Sequence, residues 1–242
     1  MESWLDIAVN AARLAGKAIM EVYAQPFEVY TKDDASPVTQ ADFHASSIIK
    51  ETLKPTGLPF VSEEDLPPDR SRFGRYWLVD PLDGTAEFVK RNGEFTVNIA
   101  LIENKRPVMG VIYAPTLDKM WTSCDKHLSP LNSHLSPFTV LVSRSHRTPE
   151  VDTYIDTVLR PAHPDLVIDS QGSSLKFARL VEGTADVYVC YSKTKEWDTA
   201  AADAILTAAG GKVLRISDGQ PLEYDKKDYP NPPFVAWAPV HQ

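Results

Sequence analysis

The sequence predicts a layered α/β domain. Helical and strand-type periodicities interleave along the 242 residues and do not fall into separate blocks. Several strand-like runs also stop in polar or acidic clusters, which puts a site at strand ends. A chain of this length buries a substantial core and makes one large domain or two tightly joined halves.

The elements follow in order. Residues 3–23 carry Leu5, Ala8, Ala12, Ala15, Ile19 and Val22 at helical spacing. A turn-rich stretch, 31–42, ends in Thr39-Gln-Ala-Asp42, a capping box that opens a helix to about Leu53. Residues 58–65 form a short strand ending in acids, and 76–80 form a second strand. Residues 94–115 alternate as a hairpin with its turn near Asn104. A Ser-, Pro- and His-rich loop spans 122–137, and 138–146 is a strand ending in polar residues. Residues 149–160 are helical, and 165–174 is a strand running into a Gly-Ser turn. Residues 174–183 form a helix stopped by Gly183. The clearest helix, 197–211, has Asp198 or Thr199 at its start and Gly210-Gly211 at its end. Short strands flank the Asp218-Gly219 turn in the tail.

Composition narrows the function. Apolar residues make up 43% and charged residues 24%, as in an ordinary globular protein. The formal net charge of −8 argues against a nucleic-acid partner, which needs clustered Lys and Arg. A small anionic substrate stays open, because a local cation or helix terminus outweighs the global sign. Cys124 and Cys190 are too few and too far apart for a disulfide framework or a zinc site, and read as free thiols in a reducing compartment. The first ten residues lack a basic n-region, and no apolar run approaches the roughly 20 residues of a membrane span. A cytoplasmic protein is expected.

The chemistry concentrates in Asp80-Pro-Leu-Asp83-Gly-Thr85. A strand that stops at Asp80 delivers a carboxylate to a sheet edge, and Pro81 keeps it from continuing as a central ladder member. A tight loop then folds Asp83 back beside Asp80. Two carboxylates that close repel unless a cation sits between them, and Mg²⁺ with its preference for oxygen ligands suits the gap. The Leu82 carbonyl can join the same ion, and Gly84 lets the backbone approach a ligand. Thr85 opens a helix whose free N–H groups favour a phosphate. The alternative is an Asp-rich turn with a capping threonine. Glu63-Glu64 and Asp198 bring further acids to element ends, with a solvated turn and an N-cap as their plainer readings.

With these residues in view, the chain resembles the lithium-sensitive, Mg²⁺-dependent phosphatases related to inositol monophosphatase, and among them the 3'(2'),5'-bisphosphate nucleotidases. The likeness runs through SPVTQAD (36–42), VSEED (61–65), YWLVDPLDGTAEFVKRNGEFTVNIALI (76–102), GVIYAP (110–115), SRSH (143–146), GSSLKF (172–177) and WDTAAADAILTAAGG (197–211). It implies an αβαβα sandwich of the inositol monophosphatase and fructose-1,6-bisphosphatase type. Residues 1–242 would form a single domain, with a metal-binding half at roughly 1–120 and a substrate-binding half at 121–242.

The resemblance also implies roles. Glu63, Asp80, the Leu82 carbonyl and Asp83 would hold a first Mg²⁺, and Asp80, Asp83 and Asp198 a second, in a site of two or three ions open to Li⁺ inhibition. Asp42 would orient the Thr85 hydroxyl, which activates the attacking water together with Glu63. Glu63, Leu82, Asp83, Gly84, Thr85, Ser143, His146, Gly172, Ser173, Lys176 and Asp198 would contact the substrate, with Lys176 suited to a second phosphate. An exposed helix lysine and a surface histidine are the plainer readings of Lys176 and His146. Inositol monophosphatases carry a glutamate seven residues before the Trp-Asp aspartate, where this chain has Tyr191. Nucleotidases carry an arginine where it has Cys190, and Lys193 and Lys195 stand nearby. The implied reaction removes the 3'-phosphate of adenosine 3',5'-bisphosphate and belongs to sulfate assimilation. An inositol-phosphate or sugar-phosphate phosphatase is the alternative, and a catalytically silent nucleotide binder a third. Association with the inner membrane face and the oligomeric state stay open.

Overall fold

A computed structural model of the chain describes residues 3–32, 37–67, 69–70, 72–124 and 137–239. Most of the loop expected at 122–137 therefore lies outside the described residues. The first half begins with α1 (Trp4–Tyr23), β1 (Val29–Thr31), β2 (Pro37–Thr39), α2 (Gln40–Leu53) and β3 (Phe60–Ser62). It continues with β4 (Arg75–Asp83), α3 (Thr85–Val89), β5 (Thr96–Glu103), β6 (Arg106–Ala114) and β7 (Lys119–Thr122). The second half holds β8 (Thr139–Ser143), α4 (Pro149–Tyr154), β9 (Val167–Gln171), α5 (Leu175–Val181) and β10 (Val187–Cys190). It closes with α6 (Trp197–Ala208), β11 (Lys212–Arg215) and β12 (Phe234–Trp237). A π-helical turn, Ile155–Leu159, prolongs α4.

Alternation within the strands sorts the chain into five layers. In β4, Trp77 and Val79 join a cluster with α1 and α2, and Tyr76 and Leu78 face the opposite way onto α5 and α6. The inner face of the second sheet (Leu141, Tyr188, Phe234) covers the other side of α5 and α6. Its outer face (Val140, Val142, Val187, Val189) packs on Val151, Ile155 and Leu159. The order helix, sheet, helix, sheet, helix is the expected αβαβα sandwich. The helices are thin enough to stack this way: α1 buries Ala8, Ala11, Ala12, Ala15 and Ile19 beside Ala41 and Ala45 of α2. Among the described residues no helix is long and apolar enough to cross a membrane.

The first sheet runs β3-β4-β5-β6-β7 and the second β11-β12-β10-β8-β9. The expected hairpin is β5–β6, turned by Asn104 and Lys105, both at positive φ. The capping box at Thr39 and Asp42 is formed. Two features escaped the sequence reading. β1 and β2 pair as a small antiparallel sheet inside the turn-rich stretch, and β7 precedes the long loop.

One expectation is overturned. β4 does not stop at Asp80 but continues through Pro81 to Asp83 as an interior strand between β3 and β5. Proline is tolerated because β3 has already ended at Ser62, opposite Val79, leaving one flank of β4 open there.

Candidate active site

The continuation of β4 carries a bulge. Asp80 pairs with Asn98 and Asp83 with Thr96, so three steps along β4 match two along β5. In a regular strand, residues three apart point to opposite faces. The extra residue reverses the alternation: Leu82 turns into the α1–α2 core, and Asp80 and Asp83 both reach one pocket. Gly84 follows at φ +91, where a Cβ would stand 2.8 Å from the Glu94 carbonyl oxygen, so only glycine turns the chain into α3.

The pocket, about 660 Å³, is lined by Glu63, Asp80, Leu82, Asp83, Gly84, Thr85 and Asp198, which bring β3, β4, α3 and α6 together. Burial and the neighbouring carboxylates Glu63, Asp83 and Asp198 hold Asp80 well above the usual carboxylate range. Burial, then Asp83 and Glu63, do the same to Asp198. Asp83 is also raised by burial, against the pull of Lys176 and Ser174. Four carboxylates and a carbonyl oxygen, with no thiol or imidazole among them, fit a hard divalent cation. Among the described residues, His, Cys, Asp and Glu side chains do not form an assembled metal cage. The acids are engaged by protein donors instead. Lys32 Nζ donates to Glu63 at 2.7 Å and also meets Glu64. Asp83 Oδ2 accepts from Ser174 N and Oγ at 2.6 and 2.7 Å and from Asn98 Nδ2 at 3.2 Å. Asp198 Oδ2 accepts from the Lys195 N–H at 2.8 Å.

Asp42 serves two elements at once. Its Oδ2 accepts from Thr39 N at 2.8 Å, closing the cap of α2, and its Oδ1 stands 3.0 Å from the Thr85 hydroxyl. That hydroxyl is also 3.1 Å from the Leu82 carbonyl. Burial raises the Asp42 carboxyl, with hydrogen bonds from Thr39 and Thr85 opposing.

The other wall comes from the second sheet. β8, β9 and β10 run parallel. The loops beyond their carboxyl ends bring Ser143 and His146, Gly172 and Ser173, and Ser192 to Lys195 into the lining. Lys176 lines the pocket too, but it is buried rather than the exposed helix lysine of the plainer reading. Burial lowers its ammonium's pKa, with Asp83 opposing. Cys190 is buried against Ser192, and Tyr191 lies 6.3 Å from the Tyr154 ring; neither is among the lining residues.

Sequence reasoning missed the residues that join the walls. Ser174 Oγ touches both Asp83 and the Asp198 carbonyl oxygen, at 2.7 and 3.2 Å. Arg144 grips Glu94 through two bonds, at 2.6 and 2.7 Å, and Glu94 accepts the Gly172 N–H at 2.7 Å. Asn98 alone left a trace in the sequence, as a polar residue inside the apolar run of β5. Lys32 reaches acids about thirty positions away with no local signal.

The chain matches the inositol monophosphatase family over residues 1–239, and it belongs to that family. Within it, the chain is 43% identical to the 3'(2'),5'-bisphosphate nucleotidase CysQ of Escherichia coli O157:H7, covering 95% of this chain and 98% of that protein. It is 44% identical to CysQ of Salmonella typhimurium, with the same coverage of each. The crystal structure of CysQ from Bacteroides thetaiotaomicron, a bacterial member of the inositol monophosphatase family, superimposes with a TM-score of 0.88. That pair is 38% identical and covers 100% of this chain and 99% of the other.

Proposed function

We propose that this chain is a Mg²⁺-dependent 3'(2'),5'-bisphosphate nucleotidase. It removes the 3'-phosphate of adenosine 3',5'-bisphosphate, releasing AMP and phosphate and clearing a by-product of sulfate activation. The observation that carries this reading is the meeting of Glu63, Asp80, Asp83 and Asp198 in one pocket beside the Thr85–Asp42 pair, in a relative of the CysQ proteins.

Glu63, Asp80, the Leu82 carbonyl and Asp83 would hold a first ion, and Asp80, Asp83 and Asp198 a second. When bound, Mg²⁺ supplies the positive charge that neutralises the phosphate, acidifies a water and stabilises the leaving oxygen. Asp42 accepts the Thr85 proton in a hydrogen bond, which turns a lone pair of Thr85 Oγ1 toward the attacking water. Glu63 helps take that water's proton. Gly84 lets the scissile phosphate approach the backbone at the start of α3. Ser143, His146, Gly172, Ser173 and Lys176 form the wall against the nucleoside. Positioning and charge carry the reaction, so no covalent nucleophile is needed. In this reading residues 1–120 are the metal-binding half and 121–242 the substrate-binding half, with Asp198 crossing the division. The free thiols of Cys124 and Cys190 agree with a cytoplasmic setting.

The test is phosphate release with Mg²⁺, comparing adenosine 3',5'-bisphosphate with inositol 1-phosphate at equal concentration. A strong preference for the nucleotide is expected. Equal rates, or preference for the inositol ester, would leave the acid cluster standing and overturn the substrate. Absence of release from both would overturn the enzyme.

A further inference from the structure

Part of the pocket wall rests on loops, and a loop has no ladder to hold it. Ser143 and His146 lie at and beyond the end of β8, and Gly172 and Ser173 lie beyond β9. Both strands stand at one edge of the second sheet, with β9 outermost. A link outside the sheet must therefore fix the distance from this wall to the acids of the first sheet.

A forked ion pair spans that distance. Arg144 Nε and Nη2 donate to the two carboxylate oxygens of Glu94, at 2.6 and 2.7 Å. Arg144 lies between Ser143 and His146 in the chain. Glu94 sits two residues before β5, the strand that pairs with Asp80 and Asp83. Each partner also holds the β9 loop. Arg144 donates to the Ser170 carbonyl through Nη2 at 2.7 Å and to the Gln171 carbonyl through its N–H at 3.2 Å. Glu94 accepts the Gly172 N–H at 2.7 Å. The packing there is close: a Cβ on Gly172 would stand 3.0 Å from the Glu94 Cβ and 2.7 Å from the Glu87 Cγ. Glu87 in turn accepts from Ser145 Oγ at 2.5 Å. Two acids of the first half thus hold both loops of the second. An isolated surface ion pair contributes little, but this one is bidentate and shares its bonds with backbone groups of the β9 loop.

We propose that Glu94 and Arg144 are positioning residues: their forked pair sets the distance of the loop wall from the acid cluster, and through it the affinity for the nucleoside. This deepens the nucleotidase reading and rests on it. Neither side chain lines the pocket, so both act through Ser143, His146, Gly172 and Ser173. The scissile phosphate belongs to the opposite wall, and its own binding does not depend on the pair.

The experiment measures kcat and KM on adenosine 3',5'-bisphosphate, and competitive inhibition by inorganic phosphate, at fixed Mg²⁺ and salt. The proteins are the wild type, Glu94→Gln, Arg144→Ala and the double variant, each beside a thermal melt. Glu94→Gln keeps an oxygen for the Gly172 N–H and turns an amide N–H₂ against Arg144, so it breaks the fork and spares the loop contact. KM should rise about tenfold in each single variant, with kcat and the phosphate inhibition constant within about twofold of the wild type. The double variant should rise no further than either single one, because the two side chains act as a unit. An unchanged KM in Glu94→Gln, or rises that multiply in the double variant, overturns the assignment alone. So does a phosphate inhibition that weakens in step with KM, which would make the pair a general support of the pocket. A wild type that does not turn over the bisphosphate overturns the assignment together with the nucleotidase reading.

Discussion

The two sheets build the pocket in different ways. The first is antiparallel from β4 to β7, and its acids Asp80 and Asp83 stand on the ladder itself, at the bulge of β4. The second runs β8, β9 and β10 parallel, out of chain order, and contributes largely through the loops at their ends, with Tyr188 and Phe234 reaching the pocket from the strands. A ladder holds side chains to a narrow geometry, as shared cation ligands require. Loops on a parallel sheet change their side chains without disturbing the hydrogen bonds beneath, as substrate choice requires. On the proposed function, the reacting groups and the selecting groups would have supports of different stiffness.

The sharpest way to break this division is Asp83→Asn. The amide oxygen still accepts from Ser174, so the fold survives, but turnover should fall by at least about 10²–10³-fold. Phosphate release at saturating Mg²⁺, beside a thermal melt, decides it; near-normal activity would remove Asp83 from the chemistry. The next largest effect tests the packing that joins the sheets. A Cβ on Gly110 of β6 would stand 2.2 Å from the Ala201 carbonyl oxygen of α6. Gly110→Ala should cost about 3 kcal/mol in urea unfolding and weaken activity through the displaced Asp198; an unchanged midpoint would mean the layers slide freely.

A third test concerns the middle of α6. Asp203 is buried, accepts from Tyr224 and Thr207 at 2.9 and 3.0 Å, and is pushed up by burial to about 6. Its carboxyl is raised in the folded protein, so it adds stability at low pH that is lost as pH rises through about 6. Asp203→Asn lacks this titration. Between pH 4 and pH 7 the unfolding free energy of the variant should gain on the wild type by about 2–3 kcal/mol. A difference that stays constant with pH would show that Asp203 does not carry it. The smallest effect belongs to the hinge of the comparison, Ser174, which spans the two sheets' contributions. Ser174→Ala should raise the Mg²⁺ needed for half-maximal activity about tenfold; an unmoved requirement would make Ser174 a structural bridge only.

What was legible in the sequence had local causes. The alanine stripe of α1, the Thr39–Asp42 box, the Asn104 turn and the glycine stop of α6 each depend on residues within one or two turns. The acids were legible as a motif, and so was the Asp42–Thr85 pair through the family likeness. The path of β4 was not. Pro81 argued for an end to the strand, and only the early stop of β3 makes it harmless. Lys176 read as a phosphate contact or an exposed helix lysine, and only the structure shows that it lines the pocket from a buried position under the 171–174 loop.

By itself, then, the sequence determined most of the element types, the layered class and the family, and it singled out the acid set, because periodicity, caps and short motifs are written in neighbouring residues. The tertiary structure alone decided that a bulge turns Asp80 and Asp83 to one face. It also decided that Ser174 and Glu94 lock the two walls together. Those outcomes depend on pairings and burial between residues tens of positions apart, where chain closure, not local preference, sets what meets.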